Sequence, residues 1–533
     1  MTKKHASVIT VLSVAAIALA LLLSSRLWFR LDMTAGKLYT ISQVSRHLAD
    51  EIPDQVKISY FLSGKLQQLY PEPGEIIDLI REYAAYSRGK INFTTRDPAK
   101  DGIENDMQRL GIYPRQIQSI DRNEATVTSV YSGILIEYMD KVDVIPFIFS
   151  LETLEYDLTS RIRTLVSGKI REAGVIIADQ SKALNRNYRN MGEILRMSGY
   201  KLREIYPDEL MGDEIPAGLS EIIVIGGVDT LNEGMLYGID RYIQSGGKVF
   251  FMLETFTPAT ETGSLEMRTL EDAGLLAMLR SYGVEVQRAL VLDNSCLTIT
   301  YQSAGAGGAP VIRLIRYPFW VSVTRAGGNP AHPITSAFAG VDMFWPNPLV
   351  LHETAGVEAV PLIFSTQDAW LMTKDISVNP DSAFMFTREN RETQGQKLLG
   401  AALSGRFPPY SGIPDINSSG EAASTAGTGS PDNGAESRIV VIGNGEFLND
   451  EYLDSERNLT FFLSAADWLA NDDDIISIRS RAAGINRLDK IIDSEKRDAA
   501  MTFARLLNTM AIPAAVLIFA VVFGIKRRKK TIG

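Results

Sequence analysis

The chain of 533 residues is 45% hydrophobic and 22% charged, and its formal net charge is -10. These proportions exclude a disordered chain and suffice for two or three domains with cores of their own. The acidic balance argues against a nucleic-acid partner, and the single cysteine, Cys296, excludes an intramolecular disulfide.

An apolar segment at residues 6–25 begins the chain. It contains about 20 residues, enough for a helix to cross a hydrocarbon core of roughly 30 Å. The alternative is a cleaved signal peptide, whose apolar stretch is usually shorter, about 7–15 residues, and ends in a small-residue cleavage site. Because Arg26 and Trp28 follow the segment, cleavage is disfavoured, and we predict an uncleaved N-terminal transmembrane anchor at residues 1–30.

Residues 31–150 have the pattern of a small α/β domain. A strand is predicted at residues 56–62, where apolar and polar residues alternate, and a helix and a second strand at residues 91–95 follow it. Two further strands, at residues 133–138 and 142–145, are joined by a polar turn. This outline is thioredoxin-like in architecture only, because the region has no cysteine for the redox chemistry of that fold.

Residues 151–283 are predicted to form a doubly wound α/β domain. Their first helix, with Leu154, Leu158 and Ile162 on one face, connects it to the preceding domain. Short apolar strands then alternate with helices, which indicates a parallel sheet covered on both faces. The predicted strands lie at residues 174–178, 201–205, 222–225 and 249–253, and the helices at residues 188–197 and 235–244.

The next part of the chain is less regular. Residues 284–416 are interpreted as a β-rich region whose topology the sequence leaves unassigned. Residues 417–437 consist mainly of small and polar residues, so we predict a flexible loop. A strand and a helix within residues 438–480 are expected to return to the main sheet.

The chain ends in a charged helical stalk, predicted at residues 481–505, and a second apolar segment at residues 506–525. A buried soluble helix is the alternative for this segment, because Pro513 lies within it. The basic cluster at residues 526–530 favours a membrane crossing. We therefore predict a C-terminal transmembrane helix and basic tail at residues 506–533.

Basic residues lie on the outer side of both apolar segments. Lys3 and Lys4 precede the first segment and residues 526–530 follow the second, and such residues are retained in the cytoplasm. We therefore expect a two-pass protein with cytoplasmic termini and an extracytoplasmic main domain. Arg26 and Arg30 argue weakly against this orientation, but a long translocated domain overrides local charge.

No phosphate-binding loop is found in the sequence. Its Gly-Lys pairs lack the Ser or Thr and the upstream glycine of a Walker A loop. Gly226 and Gly227 follow a predicted strand without the full G-x-G-x-x-G pattern, so a tight turn is the better interpretation. The chain is therefore not predicted to be the ATPase of any machine that it joins.

The strand at residues 249–253 leads to the position that holds a nucleophilic cysteine in amidotransferase-like domains. Glu254 and Thr255 stand there instead. Glu254 could act as an acid or base, but a lone carboxylate at a strand end is more often structural, and Thr255 has no histidine near it in sequence. No catalytic residue is predicted.

Metal and cofactor sites are not predicted either. His5, His47, His332 and His352 are scattered without the spacing of metal ligands, and we interpret the last two as loop or surface residues. The acidic run at residues 472–474 lacks the alternating ligands and glycine of a calcium loop, and a solvated turn is the better interpretation.

Several short motifs occur in a fixed order between the two apolar segments. They are Arg30-Leu31-Asp32-Met33-Thr34, Lys37-Leu38-Tyr39-Thr40-Ile41-Ser42, Glu82-Tyr83, Asp97-Pro98, Val130-Tyr131-Ser132-Gly133-Ile134, Val440-Val441-Ile442-Gly443-Asn444-Gly445-Glu446-Phe447, Asn458 and Trp468-Leu469. With the basic C terminus, this order resembles the GldG-like family, the auxiliary components of gliding-motility-associated ABC-type transport systems. The resemblance implies that the doubly wound block is an amidotransferase-like domain, catalytically silent because the elbow cysteine is missing.

The resemblance also implies a function. We expect a non-catalytic auxiliary subunit in the bacterial inner membrane that associates with an ABC permease and a separate cytoplasmic ATPase. A competing hypothesis is a cell-envelope hydrolase, which a polar cleft near Glu254 or His332 would favour. A third is a carbohydrate- or peptidoglycan-binding scaffold, which a groove lined with exposed aromatic side chains would favour.

Overall fold

The computed structural model describes residues 40–121, 124–149, 151–168, 171–206, 215–216, 218–259, 266–304, 310–336, 338–374, 376–380, 392–410, 434–453, 456–470 and 478. Within these ranges, no helix combines the length and the apolar character needed to cross a membrane. The sequence features that lie outside them include the predicted membrane segments at residues 6–25 and 506–525 with their basic flanks, the motif at residues 30–34, the stalk at residues 481–505, His5, the acidic run at residues 472–474 and most of the predicted loop.

The first part of the described chain is a four-stranded mixed sheet with helices. Its elements are α1 (Gln43–Glu51), β1 (Val56–Leu62), α2 (Gly64–Leu69), α3 (Glu72–Tyr86), β2 (Ile91–Arg96), α4 (Pro98–Asp101), α5 (Glu104–Arg109), β3 (Arg115–Asp121), β4 (Glu124–Val130), β5 (Ser132–Tyr138), β6 (Lys141–Ile145) and α6 (Leu151–Ser167). The strand order is β2-β1-β5-β6, with β1 parallel to β2 and antiparallel to β5. Strands β3 and β4 form a separate hairpin.

Local sequence signals begin the helices of this part. The Ser42 hydroxyl caps α1 by accepting the N–H of Ser45 at 3.1 Å. Helix α3 carries Pro73 and two glutamates in its first turn, where a missing N–H costs nothing and negative charge is favourable. Its residues Ile76 and Ile80 are fully buried against the sheet, which fixes the face that the helix presents to the core.

The second part is built on one sheet of nine described strands. The second part as a whole, including its smaller sheets, contains the following strands in chain order: β7 (Arg171–Ile177), β8 (Tyr200–Glu204), β9 (Glu221–Ile225), β10 (Val249–Met252), β11 (Phe256–Ala259), β12 (Glu266–Thr269), β13 (Val284–Val286), β14 (Leu290–Leu292), β15 (Cys296–Ala304), β16 (Pro310–Val323), β17 (Val341–Phe344), β18 (Leu349–Leu351), β19 (Val357–Phe364), β20 (Trp370–Met372), β21 (Leu398–Gly405) and β22 (Ser437–Ile442). Its helices are α7 (Leu184–Asn187), α8 (Arg189–Met197), α9 (Glu233–Gln244), α10 (Leu275–Ser281) and α11 (Glu456–Leu469), with single 3-10 turns at Arg325–Gly327 and Pro333–Thr335.

The main sheet has a parallel and an antiparallel half. Its order is β13-β18-β21-β22-β10-β9-β7-β8, with β19 beside β21. Strands β8, β7, β9, β10 and β22 are parallel, so the strand expected to return to the main sheet lies beside β10. Strands β13, β18, β19 and β21 join it antiparallel. Part of the region at residues 284–416 therefore extends the same sheet, whereas β14 and β20, and β15, β16 and β17, form two separate small sheets.

Both faces of the main sheet are buried. Successive side chains of a strand point to opposite faces. Ile223 and Phe250 pack in one layer with residues of α8 and α11, whereas Ile222 and Phe251 pack in the other layer with residues of α9 and α10. This double burial explains why the parallel strands are continuous apolar runs.

Helix α6 connects the two parts of the described chain, which belong to one compact unit. Its residues Leu154 and Ile162 are buried in the core of the first part. On α11, the Asp467 carboxylate accepts a hydrogen bond from the Tyr156 hydroxyl at 3.0 Å and lies 3.3 Å from the Arg171 guanidinium. The predicted connecting helix is therefore joined to the second part by buried polar contacts.

Candidate functional site

A cleft of about 530 Å³ lies at the carboxyl ends of the central parallel strands. In the sheet order, β8 lies on one side of β7 and β9 on the other, so the direction of chain progression reverses between β7 and β9. Open α/β sheets bind ligands at this kind of reversal, outside the carboxyl ends of the strands. We call it the strand-end cleft, and its charged lining residues are Asp179, Asp229, Glu254 and Arg268.

A glycine turn forms one wall of the strand-end cleft. Gly226 and Gly227 follow β9 and have φ angles of 73° and 102°, a conformation that glycine adopts without strain. A Cβ atom on Gly227 would also lie 2.8 Å from Leu231 Cδ1. The predicted tight turn is therefore present. It leads into α9, where Asn232 Oδ1 accepts the N–H of Met235 at 3.0 Å.

Four ionisable side chains meet beside the cleft, and we call Asp179, Lys182, Glu254 and Glu446 the Lys182 cluster. Lys182 donates a short hydrogen bond to the Glu446 carboxylate, and its Nζ lies 3.7 Å from Asp179 Oδ2. The second Glu446 oxygen accepts a hydrogen bond from Asn449 Nδ2 at 2.6 Å. Asp179 follows β7, Glu254 follows β10 and Glu446 follows β22, so parallel strand ends bring the acidic members together.

The environment of the Lys182 cluster separates the charge states of its members. Burial, followed by the nearby Glu446 carboxylate, raises the pKa of Glu254 from 4.5 to about 8, although Lys182 opposes the change. Burial would lower the pKa of Lys182, but Glu254 and Glu446 outweigh it and hold that pKa above its ordinary value. At neutral pH the cluster thus holds a protonated carboxyl group beside a charged lysine, an arrangement that can donate a hydrogen bond or a proton.

The space around Glu254 depends on the turn after β22. A Cβ atom on Gly445 would lie 2.8 Å from Glu254 Oε2, so glycine at this position leaves room for the carboxyl group. The preceding Asn444 fixes the turn, because its Oδ1 accepts the N–H of Phe344 at 3.0 Å.

Thr255 is placed away from the solvent. It is fully buried, its N–H donates to Asn347 Oδ1 at 3.0 Å, and its hydroxyl oxygen accepts a hydrogen bond from Asn347 Nδ2 at 2.8 Å. These contacts give Thr255 a structural role in holding the chain after β10.

His332 lies at the opposite end of the sheet. It lines a second cleft of about 790 Å³ together with Lys248, Arg438 and Trp468, and Lys248 directly precedes β10 whereas Glu254 follows it. The His332 ring packs edge-on against Trp468 at 5.1 Å between centroids. The structure thus does not bring His332 and Glu254 together.

The other described histidines make single acidic contacts. His352 Nε2 lies 2.8 Å from Glu285 Oε2, and His47 Nδ1 lies 3.2 Å from Glu51 Oε2 on the surface. In the part of the chain that the structure describes, no three His, Cys, Asp or Glu residues are grouped as ligands of a metal ion.

Comparison with known proteins identifies related sequences. A family model described as an ABC-type uncharacterized transport system matches residues 171–477, more than half of the chain, and a second model, described as a domain of unknown function, matches residues 35–137. An uncharacterized protein of Borreliella burgdorferi is 24% identical over 510 residues, which cover 94% of each chain. The solved N-terminal domain of mmIFT52 aligns with 56% of this chain and 96% of its own length, at 15% identity and a TM-score of 0.33, too low to support an argument.

Proposed function

The chain belongs to a family of auxiliary components of ABC-type transport systems, and from this premise we propose that it is a non-catalytic, membrane-anchored subunit of the GldG-like type. In this proposal the two apolar terminal segments cross the bacterial inner membrane, both basic tails are cytoplasmic and the described domains are extracytoplasmic. The thioredoxin-like and amidotransferase-like assignments of the two parts belong to the same proposal.

The observation that carries the proposal is the family match across residues 171–477. The matched region contains the whole main sheet and the strand-end cleft, and the position after β10 holds Glu254 and Thr255 in place of a cysteine or serine nucleophile. Because the sequence has no Walker A loop, the proposal places ATP hydrolysis in a separate subunit. A permease and a cytoplasmic ATPase are therefore the proposed partners.

The strand-end cleft gives the outer domain a place to bind the transported molecule or a segment of a partner. Its walls combine charged residues with buried Met235 and Leu270, the mixture of apolar and convergent polar groups that is typical of ligand sites. An ATP-driven change in the permease would reach this cleft through the two membrane segments, or binding in the cleft would signal in the opposite direction.

Co-purification tests the proposal. The tagged full-length chain is extracted in a mild detergent, and the proteins that accompany it are identified by mass spectrometry, with the same chain truncated after residue 505 as a control. We expect an ABC permease and ATPase with the full chain and less of both with the truncated chain. Recovery of the full chain alone, or with envelope polymers, would contradict the proposal.

A cell-envelope hydrolase is the second candidate, because a specific observation favours it. The strand-end cleft is polar, and its Glu254 carboxyl group has a pKa of about 8, which suits a general acid near neutral pH. Hydrolysis of peptidoglycan by the purified chain that disappears in Glu254→Gln would support an enzyme, whereas equal release by both proteins would exclude Glu254 as its acid. The described lining of this cleft contains no aromatic residue, so it lacks the stacking surface expected of a carbohydrate scaffold.

A further inference from the structure

A two-stranded arm projects from the small sheet formed by β15, β16 and β17. Strand β16 pairs with β17 only at residues 320–323, whereas its residues 310–316 pair with β15. Among the described strands, the outer portion of β16 is therefore paired with β15 alone. We call residues 298–304 and 310–316 the hairpin arm.

The hairpin arm exposes large apolar side chains. Ile312 is 70% exposed, Leu314 is 76% exposed and Val311 is 41% exposed. Because alternate residues of a strand share a face, Ile312 and Leu314 lie on the same face of the arm. Their cross-strand partners are Gln302 and Thr300, which are exposed and uncharged. Adjacent exposed apolar side chains of this size mark an interaction surface more often than scattered single ones.

The stretch of sequence that carries the arm is basic, unlike the chain as a whole. The chain has a formal net charge of -10, yet residues 294–341 contain no Asp or Glu and include Arg313, Arg316 and Arg325. Arg316 is exposed on the same face of the arm as Ile312 and Leu314, and Arg313 is exposed on the opposite face. The combination suits a partner that is apolar within and anionic at its surface.

We propose that the hairpin arm docks on an anionic phospholipid surface. Ile312 and Leu314 enter the boundary between headgroups and acyl chains, while Arg316, on the same face of the arm, contacts lipid phosphates. Apolar side chains flanked by basic ones bind such interfaces through both burial and electrostatic attraction. The availability of a bilayer rests on the proposed function, in which the chain is anchored in a membrane.

A fluorophore on the arm tests the docking. Because Cys296 is the only cysteine, Cys296→Ser gives a cysteine-free background in which Leu314→Cys, or Ile312→Cys as a second site, is labelled with an environment-sensitive dye. The full-length protein is placed in nanodiscs of phosphatidylcholine, with or without phosphatidylglycerol. Tyr113→Cys, 60% exposed in the first part, is the matched labelling control.

We expect a blue-shifted and several-fold brighter signal at positions 312 and 314 in phosphatidylglycerol nanodiscs, with no change at position 113. Arg316→Gln should weaken docking about fivefold, because one basic residue near an anionic surface contributes about that factor, whereas Arg288→Gln, the same charge change elsewhere on the surface, should not.

Three results would overturn the docking proposal. These are an unchanged signal at both arm positions, an equal rise in phosphatidylcholine alone, and a rise that requires a permease, an ATPase or a second copy of the chain. Incorporation into the nanodiscs is measured separately by size, so failure of the predicted anchors is distinguishable from failure of the arm to dock.

Discussion

Replacing Glu254 with glutamine tests whether the strand-end cleft holds a protonated carboxyl group at neutral pH. Burial and the neighbouring Glu446 raise the pKa of Glu254 from 4.5 to about 8 in the folded protein. The unfolded chain releases this proton near pH 4.5, whereas the folded protein keeps it until about pH 8. The stabilising contribution is therefore complete below pH 4.5 and is lost as the pH rises through 8.

The size of the pH-dependent change in stability follows from the interval between the unfolded and folded pKa values of Glu254. Each pH unit between the two pKa values contributes about 1.4 kcal/mol, which sets an upper limit of about 5 kcal/mol for the change in unfolding free energy. Because the Glu254 side chain is only partly buried, solvent screens its charge, and we expect about 2 kcal/mol. Glutamine resembles the protonated acid but cannot ionise. As the pH rises from 5 to 9, the stability of the variant relative to the wild type should therefore increase by about 2 kcal/mol.

Thermal unfolding measures the difference. Midpoints of the full-length wild type and Glu254→Gln are compared by tryptophan fluorescence at pH 5, 7 and 9 in one detergent. For a unit of about 300 residues, 2 kcal/mol corresponds to a shift of about 3 °C. Glu353→Gln, at an exposed loop position, should stay parallel to the wild type. A Glu254→Gln curve that is also parallel to the wild type would refute the reasoning.

Three further substitutions probe the same framework by thermal unfolding. Lys182→Met leaves the Glu446 carboxylate without its cationic partner and should lower the free energy of unfolding by about 3 kcal/mol. The double variant Lys182→Met/Glu446→Leu should recover part of this loss. An unchanged stability of Lys182→Met would contradict a buried ion pair between Lys182 and Glu446. Gly445→Ala should lower the free energy of unfolding by about 1–2 kcal/mol, because the added methyl group contacts Glu254. The same loss in a Glu254→Ala background would show that this contact is not its cause. Tyr156→Phe should cost about 1 kcal/mol and speed hydrogen exchange in α6, and unchanged exchange would show that this hydrogen bond does not hold the two parts together.

The parallel half of the main sheet was predictable because its strands are continuous apolar runs between helices. Strands predicted at residues 222–225 and 249–253 are found at Glu221–Ile225 and Val249–Met252. Burial on both faces produces this pattern, and the flanking glycine turns fix the strand ends.

Strand β21, at the centre of the antiparallel half, was not predictable, because close packing there favours small side chains. A Cβ atom on Gly400, in β21, would lie 2.7 Å from Ile442 Cδ1. The neighbouring Ala401 and Ala402 are buried as well. Small residues give neither the alternation nor the apolar run from which strands are predicted.

The candidate site was only partly visible in the sequence. Glu254 is recognisable in the sequence by its position after a buried strand, whereas the pairing of Lys182 with Glu446 is not, because 264 positions separate them. The signal that could have connected them is topological: Lys182 follows β7 and Glu446 follows β22, and the carboxyl ends of parallel strands meet at one edge of the sheet.

Native mass spectrometry of the intact complex released from nanodiscs tests the central claim most directly. We predict an assembly that contains the 58.7 kDa chain together with a permease and an ATPase, and loss of those two subunits when residues 506–533 are deleted. Masses that correspond only to the chain or its multiples would contradict an auxiliary subunit of an ABC-type transport system.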